Sequence, residues 1–348
     1  MSDLNDSTSQ ATSTGDGVSF SSTFLEFCAK VRNNDNSILS ELGEPLNIQF
    51  LSEKELMELA DALLENTTVT YLELEVRIYG QYTKRYAEAM AKYVRTSKRL
   101  HRIRWSKVST RNDLMMQQRE EMFCCFLPAF QESTSLKELR MQLHPIGGPS
   151  NLLFENMLTH TQSLRSLSFS CRAGEDIDVA LRSGLKKNTT LRELTLECSQ
   201  SATTVSPILT SVRDHPLLQR LCLRGYEVNL TGLETVLQSH TSKITELDIR
   251  RIMGGPPMTG LARALIALGR RPTLTKLMLH GARVSSDEAR LLLNIPSLQS
   301  LVLTGGTLEY VGLAEIAPAL YHNASIKDLD LSGNRYGGME PVEILGGI

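Results

Sequence analysis

The residues able to do chemistry are seven histidines, six cysteines and 39 carboxylates, and none stands in a spacing that catalysis or metal binding requires. There is no H-E-x-x-H, no C-x-x-C, no G-x-S-x-G and no glycine-rich loop followed by Lys-Ser/Thr. Gly147-Gly-Pro and Gly254-Gly-Pro-Pro read as turn punctuation. Cys124-Cys125 sits beside an apolar row, and at least one of the two reads as a small core residue. What does recur is charge at alternate positions of short segments. Tyr71, Glu73 and Glu75 are followed by Arg102 and Arg104, then Glu138 and Arg140, then Glu193. Further on come Arg220 and Arg224, then Glu246, Asp248 and Arg250. Alternation by two puts such side chains on one face of a strand. That pattern suits recognition of complementary charges on a partner protein. The plainer reading is a solvated face whose charges pair across neighbouring strands. The densest basic run, from Lys92 and Arg95 through Lys98, Arg99, His101, Arg102, Arg104, Lys107 and Arg111, is the best local candidate for an acidic partner.

Each charged segment lies inside a recurring apolar frame, L-x-x-L-x-L, whose fullest copy runs from Ile326 through Leu329, Leu331 and Asn334 to Tyr336. The first apolar position recurs at Val69, Leu100, Leu136, Leu164, Leu191, Leu218, Ile244, Leu274, Leu298 and Ile326. The steps are 31, 36, 28, 27, 27, 26, 30, 24 and 28 residues. Six and ten residues before each frame stand apolar residues such as Leu63 and Leu59, Phe130 and Phe126, or Leu185 and Leu181. A spacing of four places them on one helical face. A small residue often stands seven before, as at Ala62, Ala129 and Gly184, where it is expected to let the helix approach the sheet. Asn66, Asn188 and Asn323, three before, suit a helix C-terminus.

Strand, turn, helix and turn at a period of 27–28 residues resemble the ribonuclease-inhibitor-like type of leucine-rich repeat. The resemblance implies an α/β fold, a right-handed leucine-rich-repeat solenoid or horseshoe. A parallel sheet would line its concave face and helices its convex face, because strands space at ~4.8 Å and helices at ~10 Å. We expect a disordered N-terminal tail at 1–19, a helical cap at 20–45 with one helix from Phe20 to about Glu41, and a repeat domain of about 10–11 units at 46–348. Leu46-Asn-Ile48 reads as a degenerate first strand. The C-terminus reads as uncapped, which would favour fraying or self-association there. The ladder asparagine of the family survives only at Asn334; Gly225, Gly281, Gly305 and Gly333 stand one position earlier in four late units. The long unit carries an insertion around 106–121.

Repeats of this kind are mostly binding scaffolds, so the resemblance implies a non-enzymatic protein-binding module with no cofactor. An alternative is a Ran-type GTPase-activating protein, for which Arg77 would be the arginine in question; another is a sensor fragment of a larger multidomain protein. A net charge of -2 and a pI of about 6.4 carry no signature of nucleic acid or of an anionic membrane. No secretory h-region and no membrane-length apolar run are visible, and the cysteines suggest a reducing compartment. The expected location is cytoplasmic, with the nucleus not excluded.

Overall fold

The computed structural model describes residues 22–35, 53–75, 84–106, 113–143, 148–171, 175–198, 206–225, 242–250, 274–281, 284–305 and 317–334. Its helices are α1 (Ser22–Arg32), α2 (Glu53–Glu65), α3 (Lys84–Thr96), α4 (Asp113–Glu132), α5 (Gly148–His160), α6 (Glu175–Lys187), α7 (Ser206–Val212) and α8 (Ser286–Leu293). Its strands are β1 (Tyr71–Glu75), β2 (Arg102–Ser106), β3 (Glu138–Leu143), β4 (Ser166–Cys171) and β5 (Glu193–Cys198). They continue as β6 (Arg220–Arg224), β7 (Glu246–Arg250), β8 (Lys276–His280), β9 (Ser300–Thr304) and β10 (Asp328–Asp330). The ten described strands form one parallel sheet in chain order. This is the α/β horseshoe of a leucine-rich-repeat solenoid.

Strands β2–β9 bury their alternate apolar residues under the helices. Leu139 and Met141, Leu167 and Phe169, Leu194 and Leu196, Leu247 and Ile249, and Leu277 and Leu279 are all buried. They meet the helical rows of Leu59 and Leu63, Phe126 and Phe130, Phe154 and Leu158, and Leu181 and Leu185, also buried. Trp105 is core, its ring set edge-on to Phe123, Phe126 and Phe130 at 4.9–6.4 Å. The strands are stitched at their starts by one carbonyl per repeat: Thr70 O accepts from His101 N and Arg102 N, His101 O from Lys137 N and Glu138 N, and so on along the sheet.

Two further ladders replace the missing strand-exit asparagines. At the helix exits, the side-chain amide of Asn66 donates to Val31 O, that of Asn188 to Leu158 O and that of Asn323 to Leu293 O, each reaching back one repeat. The side-chain oxygen of each accepts from the backbone two and three residues on, so it closes the turn into the next strand. At the strand exits, Gly225, Gly281, Gly305 and Gly333 all take φ between 63° and 70°. L side chains disfavour that conformation, which explains glycine there. The one surviving ladder residue, Asn334, donates to both Leu303 O and Leu331 O.

Several expectations are corrected. The first helix ends at Arg32 instead of about Glu41, and Asn34, with φ of 55°, turns the chain out of it. The degenerate strand at 46–48 lies outside the described residues. The insertion of the long unit is accommodated in part by a longer helix: α4 has 20 residues where α5 has 13, and it takes in 113–121. At β10, the last described strand, Leu329 is 36% exposed and Leu331 only partly buried.

Gly184 also acts differently from the expectation. A Cβ there would lie 2.7 Å from Leu158 Cβ and 2.9 Å from its Cδ1, so the small residue admits the neighbouring helix α5, not the sheet. Gly184→Ala is therefore expected to destabilise by about 1–2 kcal/mol, overpacking outweighing the ~1 kcal/mol gain in helix propensity. Urea unfolding checks this, and a more stable variant would show that α5 and α6 can separate at no cost.

The register sets Cys171 of β4 directly opposite Cys198 of β5. Neighbouring strands lie ~4.8 Å apart, within the ~4.4–6.8 Å that disulfides span. We expect reduced thiols in the cell and a crosslink only after deliberate oxidation. Thiol-labelling mass spectrometry on acid-quenched protein reads the difference; a bond in freshly lysed cells would refute it.

Candidate functional site

The sheet's other face carries three rows of outward side chains in register across the strands. Row one holds Tyr71, Arg102, Glu138, Ser166, Glu193, Arg220, Glu246 and Lys276. Row two sets Glu73, Arg104, Arg140, Ser168, Thr195, Cys222, Asp248 and Met278 beside one another in the same strand order. Row three holds Gln142, Ser170, Glu197, Arg224, Arg250 and His280 of β3–β8. The alternation read from the sequence thus brings its charged candidates other than Glu75, whose side chain lies outside the described residues, to one face.

Two clusters stand out on this face. Across β1–β3, Glu138 accepts from Arg102 Nε at 2.6 Å and from Arg140 Nε at 2.9 Å. Glu73 accepts from the Tyr71 hydroxyl at 3.0 Å and pairs with Arg104 Nε at 3.5 Å. The Arg102 guanidinium also stands 5.8 Å over the Tyr71 ring. The carboxylate side chains are 12% and 19% exposed, whereas the three arginines are 53–58% exposed. The carboxylates form a floor and the guanidiniums the layer above it.

The second cluster lies on β6–β8. Asp248 is 1% exposed, an unusual burial for an outward strand position. Its carboxylate accepts from Arg250 Nε at 3.1–3.2 Å and from the Cys222 thiol at 3.3 Å. His280 Nε2 stands 3.7 Å from it, too far for a hydrogen bond, while His280 Nδ1 meets the Thr304 hydroxyl at 2.7 Å. Burial, then the Asp248 charge, pushes the Cys222 thiol up from its ordinary value. A nucleophilic cysteine needs the reverse, a base that takes its proton. Here the carboxylate lies between thiol and imidazole, so the thiol is held protonated. Sequence reasoning ranked neither Cys222 nor His280 as a site residue; their alignment with Asp248 and Arg250 in the repeat register was the signal available.

Arg220 Nε pairs with Glu246 at 3.6 Å, and Glu193 accepts from the Ser166 hydroxyl at 3.2 Å. Arg224 lies directly opposite both Glu197 and Arg250. The basic run does not form one surface. Lys92 and Arg95 belong to α3, where Arg95 pairs with Glu132 of α4 at 2.9 Å, while Arg102 and Arg104 lie on the opposite side of the sheet. Lys107, Arg111 and Arg77 fall outside the described residues. Among the described residues no cluster of three or more His, Cys, Asp or Glu side chains is arranged to hold a metal. No described helix is long and apolar enough to cross a membrane.

No family model matches the chain, and no curated protein matches its sequence. Among solved structures it is similar to an internalin from Listeria monocytogenes, at 13% identity and a TM-score of 0.39 over 93% of each chain. It is similar to TLR13 in its complex with ssRNA13, at 16% identity and a TM-score of 0.41 over 84% of this chain, which spans 36% of that one. It is also similar to the yeast complex of Rad7 and Elc1, at 17% identity and a TM-score of 0.42 over 73% of this chain and 66% of that one.

Proposed function

We propose that this chain is a non-enzymatic interaction scaffold that binds a protein partner on the concave face of its sheet. The observation that supports this reading is the layered charge on β1–β3, where three arginines project above two half-sunken carboxylates. Exposed guanidiniums suit the rim of a protein interface, where charge governs encounter and register. The same reading takes the repeats as ribonuclease-inhibitor-like, with 1–19 a tail, 20–45 a cap and 46–348 the repeat domain, in a cytoplasmic protein.

The test combines affinity capture from cells with crosslinking mass spectrometry. The captured partner should crosslink to the concave rows and be lost from an Arg102→Glu/Arg104→Glu variant, while Arg95→Glu on the helical side retains it. Crosslinks confined to the helices, or capture indifferent to the concave variant, would refute the reading.

A further inference from the structure

The register brings like charges together on the outward face. Arg104 of β2 and Arg140 of β3 are directly opposite one another, and like charges in that position repel. The fold holds them there with two carboxylates. Glu73 takes Arg104 from the β1 side, and Glu138, from the same strand as Arg140, takes Arg140 and Arg102 together. All three ion pairs are made through Nε, the inner nitrogen of each guanidinium. The terminal amino groups are therefore carried at the exposed ends of side chains whose stems are already oriented.

Building on the scaffold reading above, we propose that β1–β3 form a receptor for an extended acidic segment of the partner, of the pattern acid-x-acid. One carboxylate bridges Arg104 and Arg140, and a second reaches Arg102. The spacing supports this pattern. Arg102 and Arg104 are two residues apart on one strand, so their stems are about 6.6 Å apart, and an extended peptide repeats its side chains on one face at the same ~6.6 Å. An acidic strand laid along β2 thus places its carboxylates in step with the arginines. Each contact is a charge-assisted hydrogen bond made by a guanidinium whose free rotation Glu73 or Glu138 has already restricted, which lowers the ordering cost of binding. Among its described side chains the cluster sets three guanidiniums against two carboxylates. The guanidiniums are spread over two strands. Separated monoanions match that spread better than one compact dianion, so the proposal commits to carboxylates and not to a phosphorylated residue.

The experiment uses the full chain and a fluorescent peptide, Gly-Glu-Gly-Glu-Gly, read by anisotropy at two salt concentrations. The Glu peptide should bind, weaken as salt screens the contact, and exceed its Gln counterpart by about tenfold or more. Arg104→Gln/Arg140→Gln should lose that preference, whereas Arg95→Gln should keep it. Unfolding curves on each variant separate lost binding from lost structure. Equal binding of the Glu and Gln peptides would overturn the inference, as would a single phosphoserine in Gly-pSer-Gly binding better than the spaced Glu pair. The two readings fail differently. If the cellular partner still crosslinks to the concave rows while the acidic peptide fails, the scaffold stands and this assignment falls; crosslinks elsewhere remove both.

Discussion

Replacing Asn188 by alanine will lower the free energy of unfolding by on the order of 4 kcal/mol, since each buried polar partner left unsatisfied costs ~1–3 kcal/mol. The asparagine is 2% exposed, so water does not reach the gap. Its amide donates to Leu158 O, and its carbonyl accepts from Thr190 N, Leu191 N and the ring of His215. Truncation frees all four partners at once and separates the repeat ending in α5 from the two that follow. In a solenoid each repeat touches only its neighbours, so a break at the centre uncouples the two halves. Asn66 makes similar contacts to Val31, Thr68 and Val69 near the first described helix, and Asn66→Ala removes them. Its effect should be smaller, because an end can fray without taking the centre with it. Urea denaturation checks both variants; a midpoint for Asn188→Ala within error of the wild type would show that the turn closes without this side chain.

Acid will destabilise the protein through His215 by up to about 3 kcal/mol, at ~1.4 kcal/mol per unit of pKa difference between folded and unfolded chain. His215 stands where other units carry asparagine and does the same work with a ring. Its Nδ1 accepts from the backbone N–H of Leu217 and Leu218, which requires an unprotonated nitrogen. Nε2 then carries the hydrogen and donates to Asn188 Oδ1. Protonating Nδ1 would set its hydrogen against two other donors. Burial agrees with the geometry, holding the imidazole at about 4 instead of 6.5. Because the folded value is depressed, the unfolded chain binds the proton first as pH falls. The contribution is therefore complete above pH 6.5 and is lost between about 6.5 and 4. His215→Asn should flatten that window while preserving the turn, and unfolding at pH 7 and pH 4.5 reads the difference. An unchanged slope in the variant would assign the acid sensitivity to other groups.

The two predictions concern one feature, the ladder at the helix exits, which was half legible in the sequence. Asn66, Asn188 and Asn323 were visible as helix-end residues, because their place in the period and their tolerance of turn geometry are local properties. That their amides reach back to Val31, Leu158 and Leu293 was not, since those contacts span 30 residues or more. His215 stands at the same place in the period, but that its ring accepts the two backbone N–H groups at Nδ1, as the asparagine oxygen does elsewhere, is visible only in the structure.

The charged face divides the same way. A period of two along each strand and of 27–28 between strands was enough to assign Arg102, Arg104, Glu138, Arg140, Glu246, Asp248 and Arg250 to one side of one parallel sheet. Backbone geometry leaves alternate residues no other face, and a repeat that cannot bury its own apolar side must stack on its neighbours. Order along the chain therefore determined the fold, the core rows and the membership of the face. What the tertiary structure alone decided was depth and partnership. It set Glu73 and Glu138 low beneath their arginines, buried Asp248 among Arg250, Cys222 and His280, and split the basic run between two sides of the solenoid. Depth and pairing depend on how far long side chains reach across strands and on which neighbours screen them from water, and neither quantity is carried by spacing along a chain.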